Sequence, residues 1–384
     1  MHRPALSPPP SFPLTRVEAF ERLAVFLPHA GLEYARRRNF VAPAGRHEAV
    51  SRLSAALRRR VIGEEEVIGA VLDAHGAELG ASFISEVFWR TYWKGWLEAR
   101  PAIWDDYLAQ SAIGHPDVDA AVAGRTGIDA FDGWHEELES TGWLHNWARM
   151  QFASIWVHTL GLPWAVGAAF MAARLIDADP ASNTLSWRWV AGLHTAGKAY
   201  LADAERIAAM TDGRFTPRGL AAKARIPEAP SAPPAQAPRA PRPWRAGVPT
   251  VLLLGPDDLS LETWAPPDLP ITAILAPETL FPGAADRMAG EDAMARAQAH
   301  WQCAAQWVPD LDAVTDWGAQ QVITGFAPVG PVASALAKWA AGLPAGMTLG
   351  EIRRDWDEAI WPHCRKGYFA LRQAIPGLLA KRFG

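Results

Sequence analysis

Three stretches of the sequence bring polar or ring-bearing side chains together at spacings that could serve chemistry. In Glu86-Val-Phe-Trp89-Arg90, a carboxylate and a guanidinium stand four apart on one helical face, with Trp89 three from Glu86. A surface ion pair has the same spacing, but the aromatic neighbours point to a buried face. Between Thr141 and Met150, the side chains of Asn146, Arg149 and Met150 share a face, and a buried Arg149 must find an acid or an anion. The run from Asp177 to Trp189 supplies that acid. Asp179 followed by Pro180 has the form of an N-cap and first helical residue, Asn183 and Trp187 stand four apart on the helix that follows, and Asp177 is left to pair with Arg149. Together these make a helical pocket with an arginine–carboxylate pair, amides and tryptophan walls, suited to a planar, hydrogen-bonding ligand. A well-packed structural core would use the same residues.

The elements that must position these groups are helices in the first part of the chain. Thr15-Arg-Val-Glu18 has capping-box spacing, and Val17, Phe20 and Leu23 continue an apolar stripe of helical period. Further helices are expected at about Ser51 to Arg60, Glu64 to His75 and Ser82 to Glu98, and one long buried helix from Gly133 to Leu160, stopped by Gly161 and Pro163. The stretch from Ile226 to Gly247 holds seven prolines and reads as an extended tether. Beyond it the period changes. Thr250 to Leu254, Ile271 to Ala276 and Gln321 to Phe326 read as buried strands, with helices at Ala284 to Val308 and Val332 to Ala341. The fold class expected is mainly α: a helical domain over 1–225, a linker over 226–247 and a small α/β, Rossmann-like domain with a parallel sheet over 248–384. Gly255 and Gly330 form neither a dinucleotide fingerprint nor a phosphate loop.

Composition sets outer limits. The 384 residues are 49% hydrophobic and 20% charged, enough for one large or two ordinary cores. The net charge of −4 excludes a polycation. Of the 37 basic residues 31 are arginine, and the runs Arg36 to Arg38 and Arg58 to Arg60 suit either phosphate contacts or a solvated helix face. Two cysteines are too few for a disulfide scaffold, a four-thiolate zinc site or an iron–sulfur cluster, which points to a reducing cytoplasm. No run has signal-peptide or membrane-spanning length. Tryptophan is in excess at 19, against 5 tyrosines, and eleven of the indoles fall between Trp89 and Trp189.

At this point a family resemblance enters. TGWLHNWARMQFASIWVHTLGLPW followed by LIDADPASNTLSWRWVAGLHT resembles the FAD-binding helical domain of the photolyase and cryptochrome family, as do FISEVFWRTYW and YARRRNF followed by VSRLSAAL, over about residues 15 to 218 in the right order. The resemblance implies FAD as cofactor. It places Ser51, Arg52, Leu53 and Ser54 at the diphosphate, with Tyr34 and Arg90 further along the cofactor cavity, and Asn146, Arg149, Asp177, Asp179 and Asn183 around the flavin ring. It sets Arg38, Glu86, Trp89, Asn146, Met150 and Trp189 against a flipped pyrimidine dimer in damaged DNA, whose extrusion aromatic walls offset by stacking. The implied activity is that of a carbon–carbon lyase: an electron passes from photoexcited reduced FAD to the dimer, the ring bonds split and the electron returns. Glu86 would hydrogen-bond the dimer anion, Asn183 would lie by flavin N5, and Trp187 and Trp164 would begin a tryptophan relay. The amide at Asn183 tilts this pocket towards repair, since plant-type photoreceptors place an acid there. A cytoplasmic monomer without membrane attachment is the expected form.

Four departures keep other functions open. Gln110 stands at the third relay position, with Trp104 or Tyr107 as substitutes. Val50 replaces a phosphate-side threonine, Trp147 replaces a DNA-touching arginine, and an α/β region follows the helical part where the family usually has a leading antenna domain. Residues 248–384 are expected to be a reduced or permuted counterpart of that domain, docked through Asp355 to Pro362. The alternatives are a cryptochrome-like blue-light photoreceptor that binds FAD and signals through a partner, and a scaffold of the same fold without flavin.

Overall fold

The computed structural model describes residues 12–43, 46–195, 198–228 and 231–384. Among the described residues twelve α-helices precede the sheet: α1 Arg16–Phe26, α2 Leu32–Arg37, α3 Ser54–Arg58, α4 Glu64–Leu79, α5 Ala81–Glu98, α6 Ala102–Ser111, α7 Asp119–Val122, α8 Asp129–Thr141, α9 Asn146–Ser154, α10 Trp164–Ala172, α11 Pro180–Val190 and α12 Ala204–Met210. No strand occurs before Thr250 among the described residues. Then come β1 Thr250–Leu253, β2 Ile271–Pro277, α13 Ala284–Trp301, β3 Ala304–Val308, α14 Leu311–Thr315, β4 Gln321–Gly325, α15 Pro331–Ala341, β5 Thr348–Ile352, α16 Asp355–Ile360 and α17 Tyr368–Phe383. The chain is 54% helical, with one sheet of five parallel strands.

Several element boundaries follow from local chemistry. The capping box of α1 forms: the Thr15 hydroxyl accepts from the Glu18 N–H, and the Glu18 carboxylate accepts from the Thr15 N–H at 3.1 Å. The helix expected at Ser51 shortens to Ser54–Arg58, because Arg52 takes a left-handed φ of 56° and Leu53 occupies the cap without a side-chain bond. The single long helix expected from Gly133 to Leu160 is two. Gly142, at φ 69°, ends α8, and His145 starts α9 by accepting from the Trp147 N–H at 3.1 Å. A widened turn, Ile155–Thr159, then closes that helix.

Two strands were missed. The helical stretch expected to run to Val308 stops at Trp301, where Gln302 turns left-handed at φ 51°, and β3 follows on the sheet edge with alternating exposure. Strand β5 begins after a Gly346 turn at φ 93°. The sheet order is β3-β2-β1-β4-β5, with pairs such as Val251↔Ala273, Leu275↔Gln306, Val251↔Val322 and Ile323↔Gly350. One core under the sheet gathers Leu253, Leu275, Val322, Leu336 and Trp339.

The chain forms two compact units. The first comprises 1–28, 52–99 and 237–384; the second comprises 29–51 and 100–236. Residues 52–99, which precede the linker by more than a hundred positions, therefore belong with the sheet. The proline-rich segment is irregular throughout its described residues, and the chain passes from the second unit to the first within it.

Helix α5 shows how the first unit is built. Its only glycine, Gly95, faces the 361–365 turn so closely that a Cβ there would lie 2.6 Å from the Trp361 ring and 2.9 Å from the Cys364 Cβ. One turn away Thr91 accepts the Trp356 indole N–H at 3.0 Å, and Phe88 packs on that indole at 5.2 Å. Burying such rings contributes roughly 1.5–3 kcal/mol each.

Candidate functional site

The second unit holds the arginine–carboxylate arrangement. Arg149, on α9, donates from Nη2 to Asp177 Oδ2 at 2.9 Å and from Nε to the Leu144 carbonyl at 2.8 Å, which fixes the plane of its guanidinium. Asp177 is almost fully buried while the arginine side chain keeps 22% exposure, so the pair reaches solvent on the arginine side. Asp179 caps α11, accepting from the Ser182 N–H at 2.9 Å with Pro180 at the first helical position. One turn further along α11, Asn183 donates its amide to the Ala168 carbonyl of α10 at 2.9 Å. Its side-chain orientation is thereby set.

His145 shapes the same region. Burial first, then His47 and Arg149, hold its pKa down at about 3, so it is neutral and accepts from the Trp147 N–H. His47 in turn pairs with Glu137 at 2.9 Å, both buried. Neither His47 nor Glu137 carried a signal in the sequence, because their contact spans 90 residues.

The same unit is rich in rings. Trp187 is buried against Trp156 at 6.1 Å, edge-on, and a Cβ on Gly167 would lie 2.5 Å from the Trp187 ring. Trp164 donates its indole N–H to Gln110 Oε1 at 3.1 Å, so the side chain at the position expected for a third relay member is a hydrogen-bond partner of Trp164. Tyr107 stands 5.9 Å from Trp164, Trp104 stands 5.1 Å from Tyr107, and the Arg188 guanidinium lies 5.5 Å from the Trp164 ring. Trp189 packs on Tyr200 at 5.3 Å, and Gln151 donates to that phenol at 2.6 Å. Tyr34 is buried, Arg38 and Met150 are half-buried, and Asn146 is exposed. Trp147, expected where a DNA-facing cation would stand, is 2% exposed and edge-on to Trp134 at 6.5 Å. It is a core residue.

The first unit holds the other expected residues. Glu86, Trp89 and Arg90 lie half-buried along α5. The Trp89 indole is stacked on Tyr368 at 3.7 Å and 12°, with Trp93 at 5.1 Å and Tyr92 edge-on at 5.3 Å. The Tyr368 hydroxyl donates to the Ser85 carbonyl at 2.6 Å, which locks the stack. Tyr368 lies too far along the chain from Trp89 for any local pattern to link them. Arg52, Leu53 and Ser54 are also in this unit, whereas Ser51 is in the second. Leu53 is completely buried and packs as core.

The donor set of the second unit fits a flavin. A guanidinium suits a ring carbonyl, a buried carboxylate suits a ring N–H, and an oriented amide suits a site that must not fix a charge. No group of three or more histidine, cysteine or acidic side chains suited to a metal occurs among the described residues, and no described helix is long and apolar enough to cross a membrane.

Residues 83–246 match the family described as the FAD binding domain of DNA photolyase. The deoxyribodipyrimidine photo-lyase of Escherichia coli is 30% identical over 202 residues, covering 49% of this chain and 42% of that protein. The same enzyme of Streptomyces griseus is 35% identical over 152 residues, 38% of this chain and 33% of the relative. A class III photolyase structure from Agrobacterium tumefaciens shares 29% identity and a TM-score of 0.41 over 48% of this chain and 39% of that one. The chain thus spans less than half the length of the curated relatives it matches. The similarity to these proteins thus lies in a FAD-binding region of the photolyase type, matched over residues 83–246.

Proposed function

We propose that the protein is a light-dependent flavoprotein that splits cyclobutane pyrimidine dimers in damaged DNA. The observation that carries this reading is the Arg149–Asp177 pair at 2.9 Å with Asn183 one turn into α11, inside a helical unit rich in indoles. When bound, FAD supplies the absorption of light and the transferable electron. Arg149 and Asp177 hold the hydrogen-bonding edge of the ring, Asp179 keeps the start of α11 rigid, and the Asn183 amide is turned by its bond to Ala168. Trp187 and Trp164 relay electrons, and Tyr107 and Trp104 extend the path outward at 5.9 and 5.1 Å. Gln110 accepts from Trp164 instead of conducting. Trp189, in the same unit, offers an indole for base stacking.

A second reading is favoured by two observations. Trp147 is sealed in the core and brings no charge to DNA, and Tyr368 already stacks on Trp89. A photoreceptor that keeps the flavin and its relay, signals through a partner and repairs nothing has no need of either group.

The tests separate these readings. A purified, FAD-reconstituted protein should show flavin bands in the visible; their absence leaves only a packed scaffold. An ultraviolet-damaged oligothymidine, incubated with the reduced protein in blue light, should regain thymine absorbance. No recovery in the presence of flavin bands gives the photoreceptor reading. Trp187→Phe should slow photoreduction by an order of magnitude or more, measured by transient absorption, and an unchanged rate would place the electron path elsewhere.

A further inference from the structure

In a doubly wound parallel sheet, ligands bind outside the carboxyl ends of the strands, where the strand order reverses. The order β3-β2-β1-β4-β5 puts that point between β1 and β4. Here the space is taken by the chain itself. The loop after β1 folds across the end of β4, so that a Cβ on Gly325 would lie 3.1 Å from the Asp258 Cβ and 3.0 Å from Leu261.

Into this loop comes the arginine run that ends α3. Arg58 donates to Asp257 and to the Pro256 carbonyl, each at 2.8 Å. Arg60, 1% exposed, donates to Asp258 at 3.2 Å and to Asp357 of α16 at 2.8 Å. Backbone contacts fix the same approach: the Arg59 carbonyl accepts from the Leu259 N–H at 3.0 Å, and the Arg60 carbonyl accepts from the Ser260 hydroxyl at 2.6 Å. Arg354 closes the far side, reaching Glu64 at 2.8 Å and Asp357 at 3.2 Å. On the β4 side, the turn leading into α15 directs its Val329 N–H at the Glu98 carboxylate, 2.6 Å away, where a nucleotide phosphate would approach in a binding crevice. Every contact named lies within the first unit.

We propose that this crevice is a closed internal socket whose permanent occupants are the chain's own Arg58 to Arg60 run and Glu98, and that the sheet serves to seat α3, α4 and α5 rather than to take a dissociable nucleotide or pigment. The inference stands apart from the flavin reading, since none of these residues belongs to the second unit. It also gives the arginine run a role that neither a solvated face nor a phosphate contact describes.

The experiment uses the full chain in two arms. In the first, Arg60→Met leaves Asp258 and Asp357 facing the vacated space with only Arg354 beside them, and the unfolding midpoint should fall by several degrees. Methylguanidinium should restore much of that loss, and methylammonium, which lacks the planar fork, should not. An unchanged midpoint, or equal rescue by both cations, overturns the proposal. Should Arg60→Met fail to fold, Arg58→Met tests the Asp257 contact by the same readout. In the second arm, the wild type is titrated calorimetrically with adenosine monophosphate and with a pterin. No saturable binding that Asp258→Asn alters is expected. Saturable binding of either probe that Asp258→Asn abolishes would show an open ligand site and overturn the socket.

Discussion

Arg60 and Arg149 are both paired with aspartate, yet their surroundings differ in kind. Arg60 is sealed from solvent, and its acids lie 198 and 297 residues away. Arg149 keeps 22% of its side chain exposed and meets an acid 28 residues away. The first unit uses its buried charge to join distant pieces of chain. The second unit is held by rings, with Phe152 stacked on Phe131 at 4.0 Å and near-parallel to Phe170 at 6.3 Å, and its Arg149–Asp177 pair is partly exposed on the arginine side. Buried charge is therefore no guide to function by itself. What distinguishes the candidate site is a charged pair that is incompletely enclosed.

The contrast can be broken most directly in the ring-held unit. Phe152→Ala should destabilise it by about 3–5 kcal/mol, a loss measured by denaturant unfolding that stays constant across neutral pH. A strong pH dependence of that loss would show that charge also holds this unit.

The charge-held unit should instead titrate, in two opposite directions. Burial raises the Glu98 carboxyl to about 7 despite its bond from Val329 and the nearby Arg239 and Arg353. Its folded value exceeds the unfolded one, so its contribution is intact below about 4.5 and is lost as pH rises through about 7. Glu98→Gln should recover up to about 3 kcal/mol above neutrality and almost nothing in acid. Glu64 runs the other way. Burial acts to raise it, but Arg354 and Arg60 outweigh that and hold it at about 2, so its contribution is present above about 4.5 and fades as pH falls towards 2. A flat stability profile for Glu98→Gln relative to wild type would remove the titrating half of the comparison.

The smallest expected effect sharpens the boundary between α8 and α9. Gly142→Ala forces a side chain into a left-handed φ of 69°, with the Arg174 carbonyl 3.3 Å from the new Cβ. A cost of about 1–2 kcal/mol is expected from thermal unfolding. No change would mean that the loop relaxes, and that the His145 cap alone fixes the start of α9.

Local chemistry was readable where one stretch of chain decides it. The Thr15–Glu18 box, the Asp179–Pro180 start and the Arg149–Asp177 pair each follow from spacing within about thirty residues. Buried strands β1, β2 and β4 were visible as apolar runs. Strand β3 was not, because its alternating exposure on an edge continues smoothly from a helix rich in alanine, and β5 was hidden by Thr348 and Gly350. The partition of the chain was illegible for a different reason. Residues 52–99 look like more of the helical part, and only contacts such as Arg60 to Asp357 reveal that they belong with the sheet. The stack of Tyr368 on Trp89 is of this kind too, since the two rings lie beyond any sequence window of each other.

Division of the first unit among three separated stretches also sets a timetable for biosynthesis. The second unit draws on nothing beyond residue 236, so all of it has been made before the first strand of the sheet is translated. Helices α3 to α5, by contrast, leave the ribosome with their arginines and apolar faces uncovered, and must wait for Asp257, Asp258 and finally Asp357. Contacts this distant in sequence make for slow closure. During synthesis the exposed helices are the segment a chaperone would be called on to shield, while the second unit can already be complete.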